Sequence, residues 1–215
     1  MTHEQLRRPR PGPAIELYFA SAANNLVAAA RTLEEIRLDV PDPHGVRVRL
    51  SAFARVSHQL TEQLVCLLVA ERYETPDRTE LYRVTSALDY AVDRLESVGR
   101  MIEIHGLTAF PDEVLVLIRR TADAAWATSQ GLALVRSPRT MPAYWLELNR
   151  ISGDTDRMLR ALYTRCFGMD CPAEAAALRD VSTEIADVVR LLAISACTMQ
   201  GVIDRWTQPQ GVQSN

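Results

Sequence analysis

Residues 73–96 read YETPDRTELYRVTSALDYAVDRLE, and this stretch decides the fold. Thr75 is placed to accept a hydrogen bond from the free N–H groups of a helix start. Pro76 suits the first turn because the N–H it lacks would have had no partner there. Asp77 and Glu80 put negative charge at the positive end of the helix dipole. Leu81, Val84, Leu88, Ala91 or Val92, Leu95, Val98 and Ile102 then recur at three- and four-residue steps. Together they form one apolar stripe on a long amphipathic helix. Asp89 and Asp93 stand one turn apart beside that stripe, on one face.

The same periodicity runs along most of the 215 residues. It predicts an all-α protein of six helices, the third and sixth long. The first runs from Pro13 to about Leu38 and ends at the VPDPHG segment, whose prolines and glycine break a helix. The second covers about Arg47 to Arg72, with Leu50, Phe53, Val56, Leu60, Leu64, Val65 and Leu68 inward. The third covers Pro76 to His105 and stops at Gly106. The fourth follows Phe110 and Pro111 and reaches about Val135, with Trp126 on its inner face. The fifth runs from Thr140 or Pro142 to Phe167, its stripe including Tyr144 and Trp145. The sixth runs from Pro172 to about Trp206. A helix of ~30 residues is roughly 45 Å long and needs an elongated bundle to bury it.

A weak repeat divides the chain. One constant shift lays Leu64, Val65, Leu68 and Tyr73 on Met158, Leu159, Leu162 and Phe167, and a proline followed by a long helix comes next in both copies. Two three-helix units are therefore expected, residues 13–106 and 107–206. They are flanked by a flexible N-terminal tail, 1–12, and a polar C-terminal tail, 207–215. Arg7, Arg8 and Arg10 give the first tail a second reading, as an arm for an anionic membrane or a partner.

Composition narrows the function. Hydrophobic residues make up 47% and charged residues 24%, as in ordinary globular proteins. The net charge of −3 lacks the basic excess of a nucleic-acid-binding domain. All basic residues are arginines. Cys66 and Cys197 lie in apolar helical stretches and read as small buried hydrophobes. Cys166 and Cys171 flank a helix break without the paired spacing of a zinc site. No stretch has the ~18–20 apolar residues of a membrane span, the nearest being Val188 to Ile203. With no signal-peptide pattern at the N-terminus, a cytoplasmic location is expected. His3, His44, His58 and His105 form neither the His-Glu-x-x-His of zinc proteases nor the Glu-x-x-His pairs of di-iron bundles. No phosphate loop or nucleophile elbow is present. An enzyme is not expected. The apolar end of the sixth helix, around Leu191 to Ile203, is read as buried, with a dimer or transporter contact as its other use.

The third-helix pattern resembles the PhoU-like family, in the branch found beside Pit-type inorganic phosphate transporters. An aromatic residue, Thr-Pro, Asp-Arg, an acidic residue and an aliphatic appear as Tyr73, Thr75-Pro76, Asp77-Arg78 and Glu80-Leu81. Leu88-Asp89 and Asp93 follow, and Asp156-Arg157 through Leu162 to Phe167 echoes the pattern. The resemblance covers essentially the whole chain in length and helix order. It implies a six-helix PhoU-like bundle and a non-enzymatic accessory or regulator of phosphate transport. Such a protein would act by contact with a Pit-type transporter, as a homodimer, at the membrane periphery.

It further implies a divalent or iron-type metal at acidic pairs on facing helices, where hard oxygen ligands converge on a cation. Here only Asp89 and Asp93 form a clean pair. Their second-helix neighbours are Arg55 and Gln59 in one register, or His58 and Glu62 in the other. On the fifth and sixth helices the pairs read Ser152 and Asp156, and Asp180 and Glu184 or Arg179 and Thr183. A metal site would combine Asp89, Asp93, His58 and Glu62, with Asp156 and Glu184 as ligands in the second unit. The other reading is metal-free, with Asp89 and Asp93 neutralised by arginines such as Arg55 or Arg94. Such a chain would be a scaffold or dimerisation module of another pathway. A complete metal shell would instead permit a metal-dependent helical-bundle enzyme.

Overall fold

The computed structural model describes residues 13–36, 42–70, 75–133 and 141–207. Six helices account for nearly all of them: α1 Pro13–Glu35, α2 Pro43–Ala70, α3 Thr75–His105, α4 Asp112–Ala133, α5 Met141–Cys166 and α6 Pro172–Thr207. No strand occurs among the described residues. The expected N-terminal tail, residues 208–215 of the C-terminal one, Tyr73, and the side chains of Thr75, Pro76 and Trp206 lie outside them.

Helix ends follow local chemistry. α3 stops where Gly106 takes φ +61°, a conformation that costs glycine nothing. The Leu107 N–H then donates to the Ile102 carbonyl at 3.1 Å. α2 begins at Pro43, a turn earlier than expected. The Gly45 N–H donates to Asp42 Oδ1 at 2.9 Å, so aspartate and proline start this helix instead of delaying it. Gly153 does not interrupt α5.

The two long helices, of 31 and 36 residues, share the most extensive contact in the molecule. α2 lies against α3 and α1, α5 lies against α6 and α4, and α1 packs on α4. Buried apolar side chains from all six helices make one continuous core. Its centre is the stripe of α3, with Leu81, Leu88, Leu95, Val98 and Ile102 all essentially inaccessible to solvent.

α6 is long and apolar enough, by length and composition, to cross a membrane, which the sequence reading did not anticipate. About half of its most apolar window is buried within the bundle, as in the core helix of a globular protein. Leu192, Ala196, Met199, Val202 and Ile203 are buried near its end, while Ile194 is exposed. The apolar surface there is thus mostly turned into the core.

Other expectations need correction. Val56 and Val65 are exposed because α2 buries only the narrow stripe of Val46, Leu50, Ala54, Ser57, Leu64 and Leu68. Cys66 and Cys197 are exposed, and all four cysteines are free thiols. Trp126 is 52% exposed, with the Arg31 guanidinium 5.9 Å from its ring centroid. That cation–π contact holds the indole on the surface of α1 and α4. Trp145 is also partly exposed.

Tyr144 ties α5 to α4. Burial pushes its phenol well above the ordinary tyrosine range, and its ring lies where a side chain at Gly131 would be. A Cβ on Gly131 would come within 2.5 Å of that ring. Gly131→Ala is therefore expected to destabilise by about 1–3 kcal/mol through overpacking, less the ~1 kcal/mol that alanine gains in helix propensity. Urea unfolding followed by circular dichroism reads this, and a stabilised variant would show that the ring is not wedged there.

Candidate metal centre

α2 and α3 run antiparallel, and their polar edges meet along one seam. Ser51 Oγ donates to Glu96 at 3.0 Å at one level, and His58 meets Asp89 and Asp93 at the next. The register is thus the one that opposes His58, not Arg55, to the acidic pair. His58 Nδ1 is 3.0 Å from Asp89 Oδ2, and its Nε2 is 3.3 Å from Asp93 Oδ1. Ligand atoms from these three residues all lie within 4.8 Å of one another.

The three side chains differ in burial. Asp89 is tucked against the core at 13% side-chain exposure, Asp93 is at 36% and His58 at 53%. Asp89 Oδ1 is buried and has no hydrogen-bond partner. A buried carboxylate oxygen without a donor is costly, so this atom is poised for a cation. The Asp89 hydrogen bond raises the pKa of His58, aided by the charges of Asp89, Asp93 and Glu62 and opposed by desolvation. Burial raises the pKa of Asp93, with Asp89 and Glu96 adding to the rise and His58 opposing it. An imidazolium between two carboxylates fits the raised His58, whereas the rise at Asp93 comes from burial and persists against that charge. A divalent ion would take that place by displacing the ring proton.

One imidazole and two carboxylates suit zinc, iron(II) or manganese(II) better than calcium or magnesium, which take oxygen ligands. The residues present therefore fit a metal of the divalent or iron type. His58 has a ring nitrogen to offer, and Asp89 and Asp93 an oxygen each. Three protein ligands would leave at least one coordination position open.

The remaining candidate ligands stand elsewhere. Glu62 is exposed one turn along α2, beside Gln59, Gln63, Cys66 and Leu67, and acts on His58 through its charge. Glu184 accepts two hydrogen bonds from Arg94 Nη1, both at 2.9 Å, across the α3–α6 contact. Asp156 is held by Arg190 at 2.7 Å, and Arg190 also reaches Asp187 at 2.7 Å. Neither Asp156 nor Glu184 joins the His58 group. Arginines thus neutralise Glu184 and Asp156, whereas Asp89 and Asp93 take His58 as their partner. Arg94 bonds Glu184 and acts on Asp93 only through its charge. Asp154 is likewise shared by Arg150 and Arg157 on its own helix.

The buried stripes of the long helices explain this asymmetry. Leu81, Val84, Thr85, Leu88, Ala91, Val92 and Leu95 on α3 match Leu178, Val181, Ser182, Ile185, Val188, Val189 and Leu192 on α6 at one constant shift, all buried. Thr85 and Ser182 even repeat one contact, each hydroxyl donating to the carbonyl four residues back, Leu81 at 2.9 Å and Leu178 at 2.6 Å. In this register Asp89 falls on Ala186 and Asp93 on Arg190. A guanidinium stands in α6 where α3 carries a carboxylate.

Sequence reasoning missed two long-range features. Asp77 is buried and accepts from Arg205 Nε at 3.0 Å, and the same guanidinium bonds Glu80. These carboxylates, read as dipole charges, clamp the end of α6 to the start of α3. Beside the His58 group, Ser51, Ala54, Arg55, Asp93, Glu96, Ser97 and Arg100 line an open groove. Arg and Ser at four-residue steps on α2 were the available signal. Compared with known proteins, the chain matches no family model and no curated protein.

Proposed function

We propose that this chain is a PhoU-like protein of two three-helix units. It would act by binding, as a cytoplasmic accessory or regulator of an inorganic phosphate transporter of the Pit type. The observation that carries this reading is the helix packing. Exchanging α1, α2 and α3 with α4, α5 and α6 leaves the pattern of contacts in place, with α1·α4 and α3·α6 exchanged into themselves. The matched stripes of α3 and α6 point the same way, as duplicated units side by side would require. The Tyr73-to-Asp93 motif supplies the family resemblance, and the His58, Asp89 and Asp93 group supplies one metal-binding position. Contact with the transporter and pairing with a second copy belong to the same proposal.

Purification of the chain from cells co-expressing a Pit-type transporter tests it. Recovery of the transporter with the wild-type chain is expected, and repeated recovery of neither partner with the other would count against the reading. A second reading has its own support. His58 already bridges Asp89 and Asp93, so the group holds together as a metal-free scaffold or dimerisation module would require. Metal analysis of the purified protein separates the two.

A further inference from the structure

We propose that the groove beside the His58 group is a phosphate subsite, in which a tetrahedral phosphate oxyanion bridges the bound metal ion and Arg55. This inference rests on the metal-binding reading above.

The groove lies between α2 and α3, encloses about 460 Å³, and has His58 and Asp93 in its wall. An ion held by His58 and Asp93 would therefore sit at the wall of this groove. Arg55, exposed on α2 one turn before His58, makes no ion pair among the described residues. The other arginine lining this groove, Arg100, is engaged. It bonds Glu96 on its own helix. An unpaired guanidinium beside an open metal position offers planar N–H donors to an oxyanion. Ser97, and Ser51 once released from Glu96, add hydroxyls to the same wall.

Charge decides when the subsite works. Asp89, Asp93 and Glu96 offset Arg55 and Arg100, so without the ion the groove has no positive excess. A divalent ion would turn the balance positive and accept a phosphate oxygen as a ligand. Phosphate is thus bound only by the metal-loaded chain, and by linkage it tightens the metal by the same factor.

Isothermal titration calorimetry with the full chain tests this, using manganese or zinc alone, then inorganic phosphate added to the loaded and the metal-free protein. Glycerol phosphate in a parallel arm separates a free ion from an esterified headgroup, and binding of either supports the subsite. The loaded chain is expected to bind phosphate and the metal-free chain not to. Arg55→Ala is expected to weaken phosphate by about 10- to 100-fold, the loss of a charge-assisted hydrogen-bond pair. In phosphate-free buffer the same variant takes up metal at least as tightly, since a nearby positive charge is gone. Metal uptake without any phosphate response overturns this inference alone. Phosphate binding that Arg55→Ala leaves intact overturns it too, and absence of metal uptake overturns both it and the metal-binding reading.

Discussion

Leu95→Ala is expected to lower the unfolding free energy by about 2–5 kcal/mol, more than any surface change in this molecule. Leu95 is wholly buried on the stripe of α3 that packs against α6, and the core is continuous through that contact. Truncation removes the transfer energy of the lost methyls. It also leaves a cavity, because neighbours anchored in long helices relax only partly. For a chain of this size each kcal/mol shifts Tm by about 2–4 °C, so a fall of roughly 5–20 °C follows. Ile194→Ala is the control: Ile194 lies on α6 but is 60% exposed, and a change within about 0.5 kcal/mol is expected. Urea and thermal unfolding read both. A loss under about 1 kcal/mol at Leu95 would mean that the two long helices are not the spine of the fold.

That spine was legible because a 3.6-residue period needs no knowledge of the partner. Every position read as inward from Leu81 to Ile102 is buried. Helix ends were legible where the chemistry is local, as at Gly106, and misread where one residue has two uses. Pro43 ends helices in general, but after Asp42 it begins one. α2 lies mainly against α1 and α3 and buries a thin stripe, so its periodicity overstates its inward face and Val56 and Val65 stand outside. Cysteine and tryptophan misled because their apolar character says nothing of which side of a helix they occupy.

The site was half legible. The sequence put Asp89 and Asp93 on one face, but their partner depended on the rotation of α2, and two registers stood open. The structure selects His58. Pairs such as Arg94 with Glu184 or Arg205 with Asp77 join residues 90 and 128 positions apart, and no local pattern announces them. The repeat was visible first as a few aliphatic matches. The matching stripes of α3 and α6 fall at a different shift from those, and burial was needed to separate their core positions from accidental ones.

Metal binding is the second large effect. Asp89→Asn is expected to reduce zinc or manganese affinity by at least about 100-fold, since even outer-sphere partners of metal ligands commonly matter 10–100-fold. Asp89 is the most buried of the three residues and holds the oxygen without a donor. An amide keeps its shape while removing the charge and one ligand oxygen. Asp156→Asn is the contrasting variant: its carboxylate belongs to Arg190, so metal affinity stays within about threefold of wild type, as for a distant, independent site. Uptake is expected to strengthen as pH rises, because the ion must displace the proton from His58, whose pKa is raised. The sign for stability is opposite. A raised histidine pKa contributes to the metal-free fold below the unfolded value near ~6.5, and that contribution fades as pH rises through the folded one. His58 is half exposed, so solvent screening holds this contribution under about 1 kcal/mol. Elemental analysis and metal titration at two pH values decide the matter. One ion per chain, lost in Asp89→Asn and kept in Asp156→Asn, is expected. A protein that takes up no metal at either pH would leave His58 as the bridge between Asp89 and Asp93, cationic only below its raised pKa.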